Sequence, residues 1–176
     1  MPGMHDPITT IDLGHSSSPD AVATPWEETR RFLETAEVFW LSTVRADGQP
    51  HVTPISALWL DGTLYFQTGG IAQKTKHLRE NPHVTLTTGC NHLATGFDVV
   101  AEGAAVPCAD VAVLERLNQM WRTLWGEGWP IELRDGVFYE TGGQRRGEPL
   151  LVFSVTPTKI FAYARGDQWS QTRYQF

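Results

Sequence analysis

Cysteine is scarce: Cys90 and Cys108 are the only two in 176 residues, which excludes a scaffold built on disulfides, and both are expected to be reduced thiols. Cys90-Asn91-His92, with His83 nearby, lacks the paired ligand spacing of a zinc site, so no metal is expected. Positive charge is in short supply, with 14 Lys and Arg against 20 Asp and Glu and a formal net charge of -6. That balance argues against a general nucleic-acid binder, which needs basic surface to displace counterions from phosphates. No apolar run is long enough to span a bilayer, and Met1 to Ala23 lacks the charged-then-apolar pattern of a secretion signal, so a cytoplasmic protein is expected. Ser-His-Asp order, a paired-carboxylate signature and a phosphate-binding P-loop are all missing, and Gly69-Gly70 lacks dinucleotide-fingerprint spacing. Hydrolase and kinase chemistry therefore have little support, and no catalytic acid, base or nucleophile is singled out.

What remains is an ordinary globular composition, 41% hydrophobic with 16 glycines and 11 prolines, sized for one domain. Residues 1–23, with Pro2, Gly3, Pro7, Gly14, Ser16 to Ser18 and Pro19, carry no sustained apolar period and predict a mobile arm, leaving residues 24–176 as the domain. Thr24-Pro25-Trp26-Glu27 has the form of a capping box opening a helix to about Glu37. Val38 to Arg45, Pro50 to Leu60 and Thr63 to Thr68, separated by Ala46-Asp47-Gly48-Gln49 and Asp61-Gly62, predict a three-strand meander. Pro54 cannot donate to a ladder and marks an edge or a bulge. A short basic helix over Ile71 to Glu80 stops at Asn81-Pro82, followed by strands at His83 to Thr88 and Phe97 to Val106. Asp110 caps a helix to Leu124, with Val113, Leu114, Leu117, Met120, Trp121 and Leu124 at three-and-four spacing. Gly126 to Pro149 is expected to be an extended loop with a short helix, before strands at Leu150 to Val155 and Thr158 to Ala164. Trp40 and Trp59 alternate within strands and are expected to line the core or an interface, Trp121 and Trp125 belong to the helix pattern or its end, and core packing is the default for all four. The order of elements, without βαβ alternation, predicts a mainly β fold, a small barrel with flanking helices.

Three segments carry a resemblance to a known family: Phe39 to Arg45 through Gly48 to Pro54; Leu64-Tyr65-Phe66-Gln67-Thr68 with Lys74 and the Asn81-Pro82 stop; and Asp98 to Gly103. Over residues 26–176 the chain resembles the pyridoxamine 5'-phosphate oxidase-like superfamily, the split β-barrels of Greek-key type that bind FMN or coenzyme F420. Ser170 to Phe176 is similar to the terminal motif of the branch with F420-dependent members. The Arg-Leu-His-Asp-Arg substrate pattern of a true pyridoxamine phosphate oxidase is missing. The resemblance implies an oxidoreductase working as a homodimer on a small organic substrate, with F420 as the expected cofactor and FMN the alternative.

A flavin-type cofactor needs a flat, partly apolar slot for its ring and a donor-rich cationic seat for its phosphate. Thr68, Gly69 and Gly70 offer a hydroxyl and close backbone approach, and Lys74 a point charge. By resemblance, Lys74 matches the phosphate-binding lysine, Gln67 and Thr68 match cofactor contacts at the end of the third strand, and Val52, Thr53, Pro54 and Ile55 match the strand beside the ring. Ala72 and Gln73 depart from the Arg or Ser usual just before that lysine. Lys76 on the same helix and Arg173 near the chain end complete the set of expected cofactor-binding residues, Arg173 through its planar fork. A non-catalytic binder of flavin or haem is a further reading, with His51, His83 or His92 as axial ligands.

Overall fold

The computed structural model describes residues 6–13 and 16–176. Ten strands and three α-helices form one antiparallel system: β1 (Ile8–Ile11), α1 (Trp26–Thr35), β2 (Val38–Val44), β3 (Pro50–Leu60), β4 (Thr63–Gly69), α2 (Gln73–Glu80), β5 (His83–Gly89), β6 (Gly96–Pro107), α3 (Val111–Trp125), β7 (Ile131–Arg134), β8 (Val137–Glu140), β9 (Pro149–Arg165) and β10 (Ser170–Gln175). Strands β2, β3, β4, β9, β6 and β5 pair in that cyclic order, and β5 returns to β2, closing a six-strand barrel. This is the mainly β split barrel that the sequence predicts. Among the described residues no helix is long and apolar enough to cross a membrane.

Period-two patterning builds the barrel. Phe39, Leu41, Ala57, Trp59, Leu64, Phe66, Leu86, Val99, Ala101, Val155, Ile160 and Ala162 point inward and are almost fully buried, as alternation along half-buried strands requires. The Asp61-Gly62 turn has positive φ at both residues (50° and 85°), the twist that a two-residue hairpin needs and that Asp-Gly supplies. Where β6 and β9 slip register between Glu102 and Gly103, a Cβ on Gly103 would meet Val155 Cγ1 at 2.8 Å and the Thr156 carbonyl oxygen at 2.9 Å. Only glycine passes there without displacing a neighbour. Pro157 faces Gly103 across this irregularity, which lets β9 run through a residue without an N–H as one strand, where the sequence suggests two.

Two strands change partners partway, and this splits the barrel. Residues 50–56 of β3 pair with β2, whereas 57–60 pair with β4. The first part of β9 pairs with β4, whereas residues 159–164 pair with β10. Pro54 lies in the half of β3 bonded to β2 alone, consistent with a residue that has no donor to give a second neighbour. Beyond Phe66, β4 has no β3 partner and keeps only β9.

Of the segment predicted to be an arm, residues 1–5, 14 and 15 lie outside the described residues, and parts of the rest are tied to β10. Residues 8–11, inside the segment predicted to be an arm, pair with β10, and Ser17 and Ser18 hydroxyls accept from the Gln171 and Trp169 amides. Thr24 does not cap α1, which begins at Trp26 with no side-chain cap. Its amide donates to Thr172 Oγ1 at 2.9 Å and its carbonyl accepts from Tyr174 Oη at 2.7 Å, so two groups that a cap would use are spent on β10. Asp110 does cap α3, accepting from the Ala112 and Val113 amides. That helix buries Leu114, Leu117 and Trp121 against Leu58, Leu60, Ile131, Phe138, Leu150 and Val152 in a second core.

Candidate functional site

The partner switch of β3 leaves a gap between Pro54–Ser56 and the Gln67–Gly69 end of β4, and a hollow of about 280 Å³ lies there. Ala72 and Lys74, at the start of α2, close one end. The rest of the wall is Trp129, Pro130, Ile131, Glu140, Arg145 and Leu150. Most of that wall belongs to residues 126–149, where the sequence suggests an extended loop with a short helix. Short 3-10 turns lie at Gly126–Gly128 and Gly143–Arg145, but between them the segment forms the β7–β8 hairpin, turning at Asp135-Gly136 with φ of 49° and 75°. The signal was present: an Asp-Gly pair with apolar residues at alternating positions on either side, Ile131 and Leu133 before it and Val137 and Tyr139 after it, is a two-residue hairpin.

Five of the expected cofactor-binding residues meet at this hollow: Pro54, Ile55, Gln67, Thr68 and Lys74. Four do not. Val52 is 51% exposed on the outer face of β3, and Thr53 lies beside it in the same strand. Lys76 is two residues from Lys74, about 200° around a helix, and lines another depression with Arg45, Asp47 and Glu80. Arg173 is exposed on β10, where its Nε donates to Thr10 Oγ1 at 3.2 Å. None of His51, His83 and His92 lines the hollow either. Trp59 and Trp121 are buried as expected, but Trp40 and Trp125 are 52% and 47% exposed, because outward strand positions and the last turn of α3 carry them.

The hollow is polar in a specific way. Thr68 is 4% exposed, yet its Oγ1 has no hydrogen-bond partner; the same holds for the buried Trp129 Nε1 and Glu140 Oε2. Buried polar groups are almost always paired, so three orphans lining one cavity mark a place built for a ligand or ordered water. Lys74 makes no ion pair or hydrogen bond among the described residues, and burial, then the nearby Arg145 charge, hold its amine below the usual lysine range. Arg145 Nη1 lies 3.7 Å from the position of a Cβ on Gly69, and Arg145 Nη2 donates to Glu140 Oε1 at 3.1 Å. Trp129 is held between Trp121 and Trp125, stacked at centroid distances of 6.0 and 5.5 Å. Trp121 Nε1 also donates to Ser56 Oγ at 3.2 Å, fixing that stack to the rim. Two cations, an indole N–H and a threonine hydroxyl converge, a set suited to an anion. Sequence reading missed Trp129, Glu140 and Arg145, which reach the hollow only through the hairpin.

Comparisons with known proteins agree with this architecture. A candidate pyridoxamine 5'-phosphate oxidase from Listeria innocua superposes with a TM-score of 0.58 at 24% identity, covering 76% of this chain and 94% of its own. A FAD-binding protein from Mesorhizobium loti gives 0.57 at 17% identity, covering 87% and 96%. A candidate 5-nitroimidazole antibiotic resistance protein from Bacteroides thetaiotaomicron gives 0.63 at 14% identity, covering 98% of both chains. No curated protein matches the sequence. The family description of pyridoxamine 5'-phosphate oxidase matches residues 25–163, which spans α1 to most of β9 and both strands that open the hollow. The chain belongs to the pyridoxamine 5'-phosphate oxidase family.

Proposed function

We propose that this protein is a flavin-dependent oxidoreductase whose cofactor seats its phosphorylated tail in the hollow between β3 and β4. The observation that carries the reading is the pair of buried, partnerless donors, Thr68 Oγ1 and Trp129 Nε1, in one cavity with Lys74 and Arg145. Each such donor regains a bond when a phosphate oxygen arrives, and the two cations supply the charge that such an oxygen seeks. A FAD-binding protein among the solved relatives favours a flavin over the deazaflavin F420. When bound, the flavin ring supplies the hydride and electron chemistry. The chain's own residues anchor, orient and shield: Gln67 and Thr68 at the end of β4, Lys74 at the helix start, and Pro54 and Ile55 along the rim.

A homodimer completes this reading. Val38, Trp40 and Val52 are each about half exposed on neighbouring positions of β2 and β3, forming an apolar strip that ends beside the hollow at Pro54. A second copy covering the strip would bury it and wall the ring against solvent.

The test is a parallel titration of purified protein with FMN, FAD and F420, followed by fluorescence quenching. Saturable binding of a flavin in the micromolar range or tighter, with F420 weaker, is the expected result. Saturable binding of F420 alone would move the cofactor to deazaflavin, and binding of none of the three would overturn the reading.

A further inference from the structure

The anion-binding set leaves one member of the hollow unexplained. Glu140 is a carboxylate in a cavity otherwise suited to phosphate, and its free oxygen would repel a phosphate oxygen brought against it. It is also firmly held. Its amide donates to the Glu148 carbonyl at 3.1 Å, its carbonyl accepts from the Gly147 amide at 2.6 Å, and Arg145 pins Oε1. Only Oε2 is left, buried and without a donor. A buried acceptor of this kind calls for a ligand N–H or O–H. At about 280 Å³ the hollow also has more room than a phosphate group fills.

We propose that Glu140 is the specificity residue of this site, accepting a hydrogen bond from a hydroxyl carried beside the phosphate, so that the hollow selects a phosphorylated polyol or sugar over a bare phosphate. The inference rests on the proposed anion seat and adds the half of the ligand that Lys74 and Arg145 do not recognise. A carboxylate accepts from a hydroxyl in the same way in dinucleotide folds, where an acidic residue holds a ribose. Here the β7–β8 hairpin supplies it, so the hairpin reads the polyol while β4 and α2 read the charge.

Isothermal titration with ribose 5-phosphate and with inorganic phosphate tests this on the whole protein, wild type and Glu140→Gln. The amide keeps an oxygen for Arg145 and places an N–H where Oε2 stood, so shape is retained while acceptor becomes donor. In the wild type, ribose 5-phosphate is expected to bind at least tenfold tighter than inorganic phosphate. In Glu140→Gln that advantage should fall to less than threefold, with inorganic phosphate bound as well as before or tighter. An advantage that survives Glu140→Gln, or that is missing in the wild type, overturns the role of Glu140 and leaves the anion seat standing. Failure of both phosphates to bind overturns the inference together with the seat. Loss of flavin binding alone, with the ribose 5-phosphate preference intact, removes the proposed cofactor and not the inference.

Discussion

Trp40 stands directly across from Pro54 in the β2–β3 ladder, joining an outer apolar strip to the rim of the hollow. A tryptophan left 52% exposed on a strand is costly in solvent and valuable in an interface, where aromatic residues concentrate binding energy. Trp40→Asp should therefore convert a dimer to a monomer of 19.7 kDa by light scattering, while far-ultraviolet circular dichroism stays unchanged. A wild type that is already monomeric at every concentration would rule out the second copy.

Lys74→Ala should weaken flavin binding at least tenfold, about 1.4 kcal/mol, because it removes the half-buried cation at the start of α2. Thr68→Val keeps the shape of the side chain and removes only the hydroxyl, so a smaller loss is expected, about 1 kcal/mol for one hydrogen bond. Lys76→Ala, on the other side of the helix, should leave affinity within a factor of two. Equal effects of Lys74→Ala and Lys76→Ala would relocate the phosphate seat.

Tyr174 is fully buried, donates to the Thr24 carbonyl and lies 2.8 Å from Thr29 Oγ1. Burial drives its phenol up to about 12, the Thr29 bond offsetting only part of that. The fold favours the neutral phenol, so this contribution is intact below the ordinary tyrosine value near 10 and is lost as pH rises from there through about 12. The melting temperature should fall over that interval, and Tyr174→Phe should lessen the fall. At neutral pH the same variant orphans the Thr24 carbonyl and should cost about 1–3 kcal/mol in urea denaturation.

How much of this was legible in the sequence depends on how local the determinants are. The meander, the Asp110 cap and the Lys74 helix were readable because each is set by residues a few positions apart. Thr24 defeats local reading because its partners, Thr172 and Tyr174, lie almost the whole chain away. The strand at residues 8–11 is likewise specified by β10 rather than by its own composition. The hairpin at Asp135-Gly136 was readable in principle, but the surrounding glycine, proline and charge masked its alternation. Trp129, Glu140 and Arg145 could not be linked to Thr68 without it, since nothing in their spacing connects them.

His51 lies with its ring centroid 5.0 Å from that of His77, and its Nδ1 is buried without a partner. Desolvation first, then the His77, Arg45 and Lys74 charges, hold its pKa below the ordinary 6.5. The fold favours the neutral ring, so stability is intact above that value and declines as pH falls through it toward the lower folded value. Thermal melts between pH 7.5 and pH 5 should show this decline, and His51→Gln should reduce it. An undiminished slope in the variant would assign the acid sensitivity to other groups.

The gap between β3 and β4 also bears on timing. Residues 54–56 pair with β2 and residues 67–69 with β9, so the ligand meets a standing opening and no β3–β4 pairing must be broken to admit it. Capture should then follow a single phase whose rate rises in proportion to ligand concentration, with no plateau from a preceding isomerisation.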